Sequence, residues 1–283
     1  MITRRHFLFA AAAQTALPGF AKGTVKVGCQ ANGFALKPGD FPALLGALGK
    51  MKELGYAGFE CNVRFVRGQF DRSQEARSQI EQTGVGFIGA HMSMAEAHPD
   101  TFPKTLEGVA ALGAECIVMS GAALSPEGKF EPEALRTKAA KLEALAKTCR
   151  DKGLRLAYHN HNPEFANHNA EVEALANATS AELVDFLIDA GHAYLGGGDP
   201  AEFLRRHSKR ILGCHIKTFR RGTGEPTQVP LGQGDFDFQD LALAIKNTDW
   251  SGWLIDEEGG GPTPGNTAAL GPDREHIRRV FGV

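Results

Sequence analysis

RLAYHNHNPEFANHNAEVEALANATSAELVDFLIDAGH, residues Arg155–His192, is the stretch that decides the fold. Arg155–Tyr158 and Val184–Ile188 are short apolar runs, and between them Glu171–Ala178 carries helical spacing. A run apolar on successive residues suits a strand covered on both faces, the condition of an all-parallel sheet. Each run hands over to polar residues, His159-Asn160-His161 after the first and Asp189 with His192 after the second. One βα unit is written out in full, with its chemistry where the strands end.

The same unit recurs outward in both directions. Further apolar runs lie at Val25–Cys29, Ala57–Cys61, Val85–Ala90, Cys116–Met119, Ile211–Ile216 and Trp253–Ile255. Amphipathic segments follow at Phe41–Lys52, Arg72–Gln82, Pro103–Leu112, Glu131–Lys152, Pro200–His207 and Phe238–Thr248, and Asp273–Val283 reads as a closing helix. Gly55, Gly84, Gly113 and Gly153 stand where helices should stop in a left-handed residue. Eight βα repeats predict a single α/β domain, a (β/α)8 TIM barrel closed by right-handed crossovers. A doubly wound open sheet fits less well, because Gly28–Gly33 lacks the GxGxxG spacing after the first strand. The glycine-rich stretches Gly196–Pro200 and Gly259–Pro262 read as loops, not linkers.

A chain of 283 residues with 42% hydrophobic and 23% charged residues is an ordinary globular composition. Its net charge of −2 and pI near 6.6 supply no basic face, which disfavours nucleic-acid partners. Residues 1–21 stand apart. Arg4 and Arg5 precede an apolar stretch that ends in small residues, and Thr3–Leu8 resembles a twin-arginine export signal. The expected division is an export signal at 1–21 and a barrel at 22–283, in the periplasm or otherwise exported. No other apolar run approaches the ~20 residues of a stable membrane span. Cys29, Cys61, Cys116, Cys149 and Cys214 are odd in number and lack CxxC spacing, so they read as small buried hydrophobes.

Five of the ten histidines fall at strand ends: His91, His159, His161, His192 and His215. Carboxylates share the pattern at Glu60, Asp189, Glu257 and Glu258, whereas His6, His98, His168, His207 and His276 read as solvated. Imidazoles and carboxylates delivered to one rim suit a divalent first-row metal such as Mn, Co, Zn or Fe(II). The expected ligands are His159, Asp189, His215 and Glu257. Strand alternation sets His159 and His161 on one side, so one can hold the cation while the other moves a proton. Lys217, two residues after His215, can reach the same pocket and stabilise negative charge on a substrate oxygen.

The ordered motifs YHNHNPEF (Tyr158–Phe165), IDAGHA (Ile188–Ala193), CHIK (Cys214–Lys217), PLGQGDFDF (Pro230–Phe238) and GWLIDEE (Gly252–Glu258) resemble the sugar phosphate isomerase/epimerase superfamily, the xylose isomerase-like TIM barrels. Weaker family-like features occur at Gly55–Glu60 and His91. The resemblance implies one divalent metal, often Mn, with Mg also compatible. Asp189, His215 and Glu257 match three of its ligands, and His192 matches a histidine that contacts substrate. Strand 5 departs from the pattern: tagatose-epimerase-like members have a glutamate there, where this chain has His159. Inosose-dehydratase-like members share the histidine-rich strand.

With that glutamate absent, Glu257 can serve one face of the enediolate and its partner has to be His161, Glu164 or another group, and Glu164 is alternatively suited to orienting a histidine. Glu60 is a further substrate-contact candidate with His91. The expected function is a metal-dependent sugar isomerase or epimerase acting through an enediolate. A lyase or dehydratase on a keto-sugar, keto-glycoside or cyclitol would use the same intermediate. An endonuclease-like phosphodiesterase and a non-catalytic periplasmic sugar binder rank behind, since the first needs a basic groove and the second needs no metal ligands. Oligomeric state is not written in the chain.

Overall fold

The computed structural model describes residues 23–258 and 267–283. The export segment and the Gly259–Pro262 loop expected from sequence lie outside the described residues.

The strands are β1 (Val25–Gln30), β2 (Gly58–Asn62), β3 (Gly86–Ser93), β4 (Cys116–Ser120), β5 (Arg155–His159), β6 (Val184–Asp189), β7 (Ile211–Ile216), β8 (Thr218–Arg220), β9 (Thr227–Val229) and β10 (Gly252–Asp256). The helices are α1 (Phe41–Glu53), α2 (Ser73–Gln82), α3 (Phe102–Ala111), α4 (Pro132–Asp151), α5 (Ala166–Ala178), α6 (Ala190–Leu195), α7 (Pro200–His207), α8 (Gln239–Asn247) and α9 (Leu270–Phe281). Strands β1 to β7 and β10 pair side by side in parallel and close on themselves, β10 lying against both β7 and β1. This is the expected TIM barrel. Gly55, Gly84, Gly113 and Gly153 all have positive φ, which ends α1, α2, α3 and α4 and turns the chain into the next strand.

The apolar runs are buried on both sides, as their lack of alternation requires. Ile88, Cys116, Val118, Ala157, Leu187, Leu212, Trp253 and Ile255 pack together inside the cylinder. The larger cluster, including Leu44, Leu106, Leu142, Leu175 and Phe203, lies between strands and helices. Space inside is tight. A Cβ added at Gly58 would sit 2.7 Å from atoms of Ile88 and Trp253, so the small residue is what lets the large ones fit. All five cysteines are free and buried.

Three local features depart from the periodic reading. The β8–β9 hairpin and the short helix α6 both follow barrel strands and have too few residues to show a period. The region before Glu171, read as loop, joins α5 through Asn167, His168 and Asn169, all left-handed at φ of 50°, 58° and 63°. Asn and His tolerate that conformation better than other side chains. The Asn169 amide also clamps Asp199, accepting from its N–H at 2.8 Å and donating to its carbonyl at 2.9 Å. Two histidines read as solvated are not: His276 is buried, and His207 is half-buried against Glu173 at 2.9 Å.

Candidate active site

Because all eight barrel strands run the same way, their polar last residues gather at one mouth. Asp189 and His215 are register partners on β6 and β7, so their side chains leave the sheet at the same level. His159 ends β5, and Glu257 immediately follows β10. Donor atoms of His159, Asp189 and His215 all lie within 4.8 Å of one another. Asp189 Oδ2 is 3.9 Å from both His159 Nε2 and His215 Nδ1, and Glu257 Oε2 is 2.7 Å from His215 Nδ1.

The two oxygens of Asp189 are differentiated. Oδ1 accepts the N–H of His192 at 2.8 Å and caps α6, which leaves Oδ2 turned inward. Oδ2, His215 Nδ1 and His159 Nδ1 are buried without a well-directed hydrogen bond. His159, Asp189 and His215 form a donor set that fits a divalent cation of the first transition row, and Glu257 stands beside His215 at its edge.

Lys217 stands beside this group, with Nζ 2.6 Å from Asp189 Oδ2 and 2.9 Å from Glu257 Oε2. Burial alone would lower its pKa, but the two carboxylates outweigh burial and hold the ammonium charged. Burial likewise works against an ionised Glu257, yet Lys217 and His215 keep its pKa well below the usual carboxylate value. His215, between Glu60 and Glu257, is pushed up to about 10 against the opposing effect of burial. His159, His161 and His192 go the other way: loss of water contact leads in lowering their pKa values, complete at His159 and only partial at His161, whose ring reaches the mouth.

The YHNHNPEF segment supplies the framework for these imidazoles. Asn160 clamps β5 to β6, accepting from Asp189 N–H at 2.8 Å and donating to the Asp189 carbonyl at 3.2 Å. Asn162 Oδ1 lies 2.6 Å from His192 Nδ1, so that nitrogen donates and the other, Nε2, faces Asp189 Oδ2 at 3.7 Å. Glu164 is buried. Its Oε1 accepts from Tyr158 OH at 3.0 Å and its Oε2 from the His161 backbone N–H at 3.2 Å. It therefore holds the backbone of His161, not the ring of any histidine. His161 is exposed at the mouth, with its ring 5.3 Å from those of both His159 and His192.

Glu60 is fully buried in the middle of β2, not at its end as read from sequence. Its Oε1 accepts from Gln30 Nε2 at 3.1 Å and lies 3.0 Å from His91 Nδ1, while Oε2 is 2.8 Å from His215 Nε2. Both oxygens are taken up inside the protein. His91 lies within β3, not after it, and its ring meets that of His159 edge-on at 4.9 Å. Every candidate residue read from sequence thus falls in one neighbourhood, with Glu60 and Glu164 facing protein groups. Sequence reasoning missed Gln30, Asn160, Asn162 and Gln228, whose Nε2 donates to the Glu257 carbonyl at 2.7 Å. The two asparagines did leave a signal, alternating with two histidines at a strand end.

Residues 48–280 match the family model described as xylose isomerase-like TIM barrel. The chain belongs to that family. Among relatives of this xylose isomerase-like barrel is an inosose dehydratase of Bacillus thuringiensis (strain Al Hakam), 27% identical over 200 residues, which cover 61% of this chain and 67% of the relative. A xylose isomerase domain protein from Alicyclobacillus acidocaldarius superposes with a TM-score of 0.73 at 15% identity, over 92% of this chain and 99% of that one. A 3-keto-D-glucoside 4-epimerase from E. coli superposes with a TM-score of 0.65 at 17% identity, over 92% and 100% of the two chains. At these identities the two structural likenesses speak to fold.

Proposed function

We propose that this barrel removes a proton α to the carbonyl of a keto-sugar, keto-glycoside or cyclitol ketone, with His159, Asp189, His215 and Glu257 holding one divalent cation, Mn2+ by preference. The observation that supports this reading is the convergence of buried, inward-facing Asp189 Oδ2 and His215 Nδ1 beside His159 and Glu257. Bound there, the cation would supply Lewis-acid stabilisation to the carbonyl oxygen as it becomes an enediolate oxygen. His161, neutral and exposed at the mouth, takes the proton. Lys217, fixed between two carboxylates, offers a charge-assisted hydrogen bond to the developing oxyanion. His91 and His192 present their remaining ring nitrogens to substrate hydroxyls.

Loss of a β-hydroxyl or β-alkoxyl from that intermediate, leaving as water or alcohol with the proton that His161 took, is elimination, and return of the proton to carbon is isomerisation or epimerisation. The geometry favours elimination. Epimerisation needs an acid/base on each face of the enediolate, and the Glu257 carboxylate is engaged by His215 and Lys217. The β5 side offers neutral imidazoles in place of a second carboxylate. Relatives named inosose dehydratase agree with this outcome. Isomerisation or epimerisation remains the second reading, with Glu257 as the second acid/base once it parts from Lys217. The export-type sequence at 1–21 supports a reaction outside the cytoplasm as part of this proposal, and fusion of those residues to a folded reporter tests it.

The deciding experiment incubates Mn2+-loaded protein in D2O with keto-sugars, 3-keto-glycosides and inososes. Deuterium α to the carbonyl, or an enone chromophore, is the expected result; neither, across the panel, overturns the reading. Asp189→Asn should lower turnover at least ~100-fold and reduce bound metal, with circular dichroism unchanged.

A further inference from the structure

We propose that Glu60 is the positioning residue of this centre, a single carboxylate that sets the ring orientation and tautomer of two histidines on two different strands. The inference rests on the metal-centre reading for its consequence and on geometry alone for its cause. An ionised carboxylate can only accept hydrogen bonds, so each ring nitrogen facing it must carry the proton. Glu60 is fully buried with both oxygens turned to nitrogen groups, Oε1 to Gln30 Nε2 and His91 Nδ1 and Oε2 to His215 Nε2. His215 therefore donates from Nε2 at 2.8 Å, and His91 donates from Nδ1 at 3.0 Å.

The consequences differ for the two rings. In His215 the assignment makes Nδ1 the nitrogen that faces Asp189 Oδ2 and Glu257 Oε2. In His91 it leaves Nε2 as the ring nitrogen available beyond Glu60. Gln30 completes the arrangement. Its Nε2 donates to Glu60 Oε1 while its Oε1 accepts from Asn32 N–H at 2.9 Å, so the carboxylate is itself tied to the end of β1. Gln30 and Glu60 are register partners, which is why the contact forms without bending either strand. Both oxygens face protein groups and the side chain is fully buried, so Glu60 acts through the two rings and not by touching substrate.

Glu60→Gln is the discriminating variant, because the carboxamide keeps the shape but replaces one acceptor with a donor. It cannot accept from both histidines. Histidine 15N spectra are recorded with and without Zn2+, a diamagnetic probe, and Mn2+ affinity is measured by calorimetry. In the wild-type protein, His215 Nε2–H and His91 Nδ1–H should persist, and Zn2+ should shift Nδ1 of His215. Glu60→Gln should lose one of the two protonated signals and weaken Mn2+ binding about 10–100-fold. Zn2+ shifting Nε2 of His215, or a variant with both signals intact and Mn2+ affinity within about two-fold, overturns the proposal. Failure of the variant to fold leaves the wild-type spectra to decide. No shift of any His215 nitrogen by Zn2+ removes the metal centre, while the His215 and His91 protons still report whether Glu60 holds the two rings.

Discussion

At the scale of single residues, the site depends on polar side chains that reach their partners through another group. Glu164 shows how far such a residue acts from the chemistry. It is buried, satisfied by Tyr158 OH and by the His161 N–H, and touches no donor of the metal cluster. Glu164→Gln keeps the volume but gives the amide one acceptor where two donors converge. The His161 backbone should shift, and kcat should fall roughly ten-fold, the size expected when a supporting hydrogen bond is lost. Metal content should not change, because His159 ends β5 and is held by its ladder partners Ser120 and Leu187. Loss of bound metal in this variant, measured by elemental analysis alongside kcat, would place Glu164 in the cation site instead.

At the scale of elements, the short helix α6 couples two barrel strands to one another. Asp189 caps it, His192 projects from it, and Gly191 packs against the exit of β7. A Cβ at Gly191 would lie 2.5 Å from the Lys217 carbonyl oxygen and 2.8 Å from its side chain. Gly191→Ala must push Lys217 away from Asp189 and Glu257. We expect at least a ten-fold loss of kcat with a stability cost of ~1–3 kcal/mol, the usual range for overpacking. Steady-state kinetics beside denaturant unfolding checks both, and unchanged kcat would show that Lys217 is not needed at its present position. The same element marks where the sequence stopped being readable. Runs such as Ile211–Ile216 were legible because burial on both faces removes alternation, and Asp189, His215 and Lys217 because they end those runs. Six residues of α6 and three-residue strands β8 and β9 carry no measurable period. Glu60 was visible as a strand-end carboxylate, but its orientation is set by His215, 155 positions away, and that contact exists only once the barrel closes.

At the scale of the whole molecule, closure joins β1 to β10, and a second layer of buried acids reinforces that seam. The hydroxyl of Tyr56, between α1 and β2, lies within hydrogen-bond reach of both Asp256 at the end of β10 and the Leu270 carbonyl at the start of α9, and its one proton can go to either. Asp273 on α9 accepts the Leu231 N–H at 2.7 Å and faces Glu258. Burial, with Glu258 adding to it, raises the Asp273 pKa from 3.8 to about 7, although the Leu231 bond pulls the other way. The sign follows from proton counting. Between about pH 4 and pH 7 the folded chain keeps a proton that the unfolded chain has released, so stability falls as pH rises through that window. Above about pH 7 both states are ionised and the penalty stays in full. Asp273→Asn retains an oxygen for Leu231 and gains an N–H for Glu258, which removes the penalty without removing the contact. Its Tm should exceed that of the unaltered protein by a few degrees at pH 8.5 and converge with it near pH 4, a shift consistent with a kcal/mol-scale change in a domain of this size. Thermal melts at the two pH values test this: a Tm gain equal at both would mean that the effect does not come from ionisation of Asp273, and a lower Tm at pH 8.5 would mean that its carboxylate supports the seam.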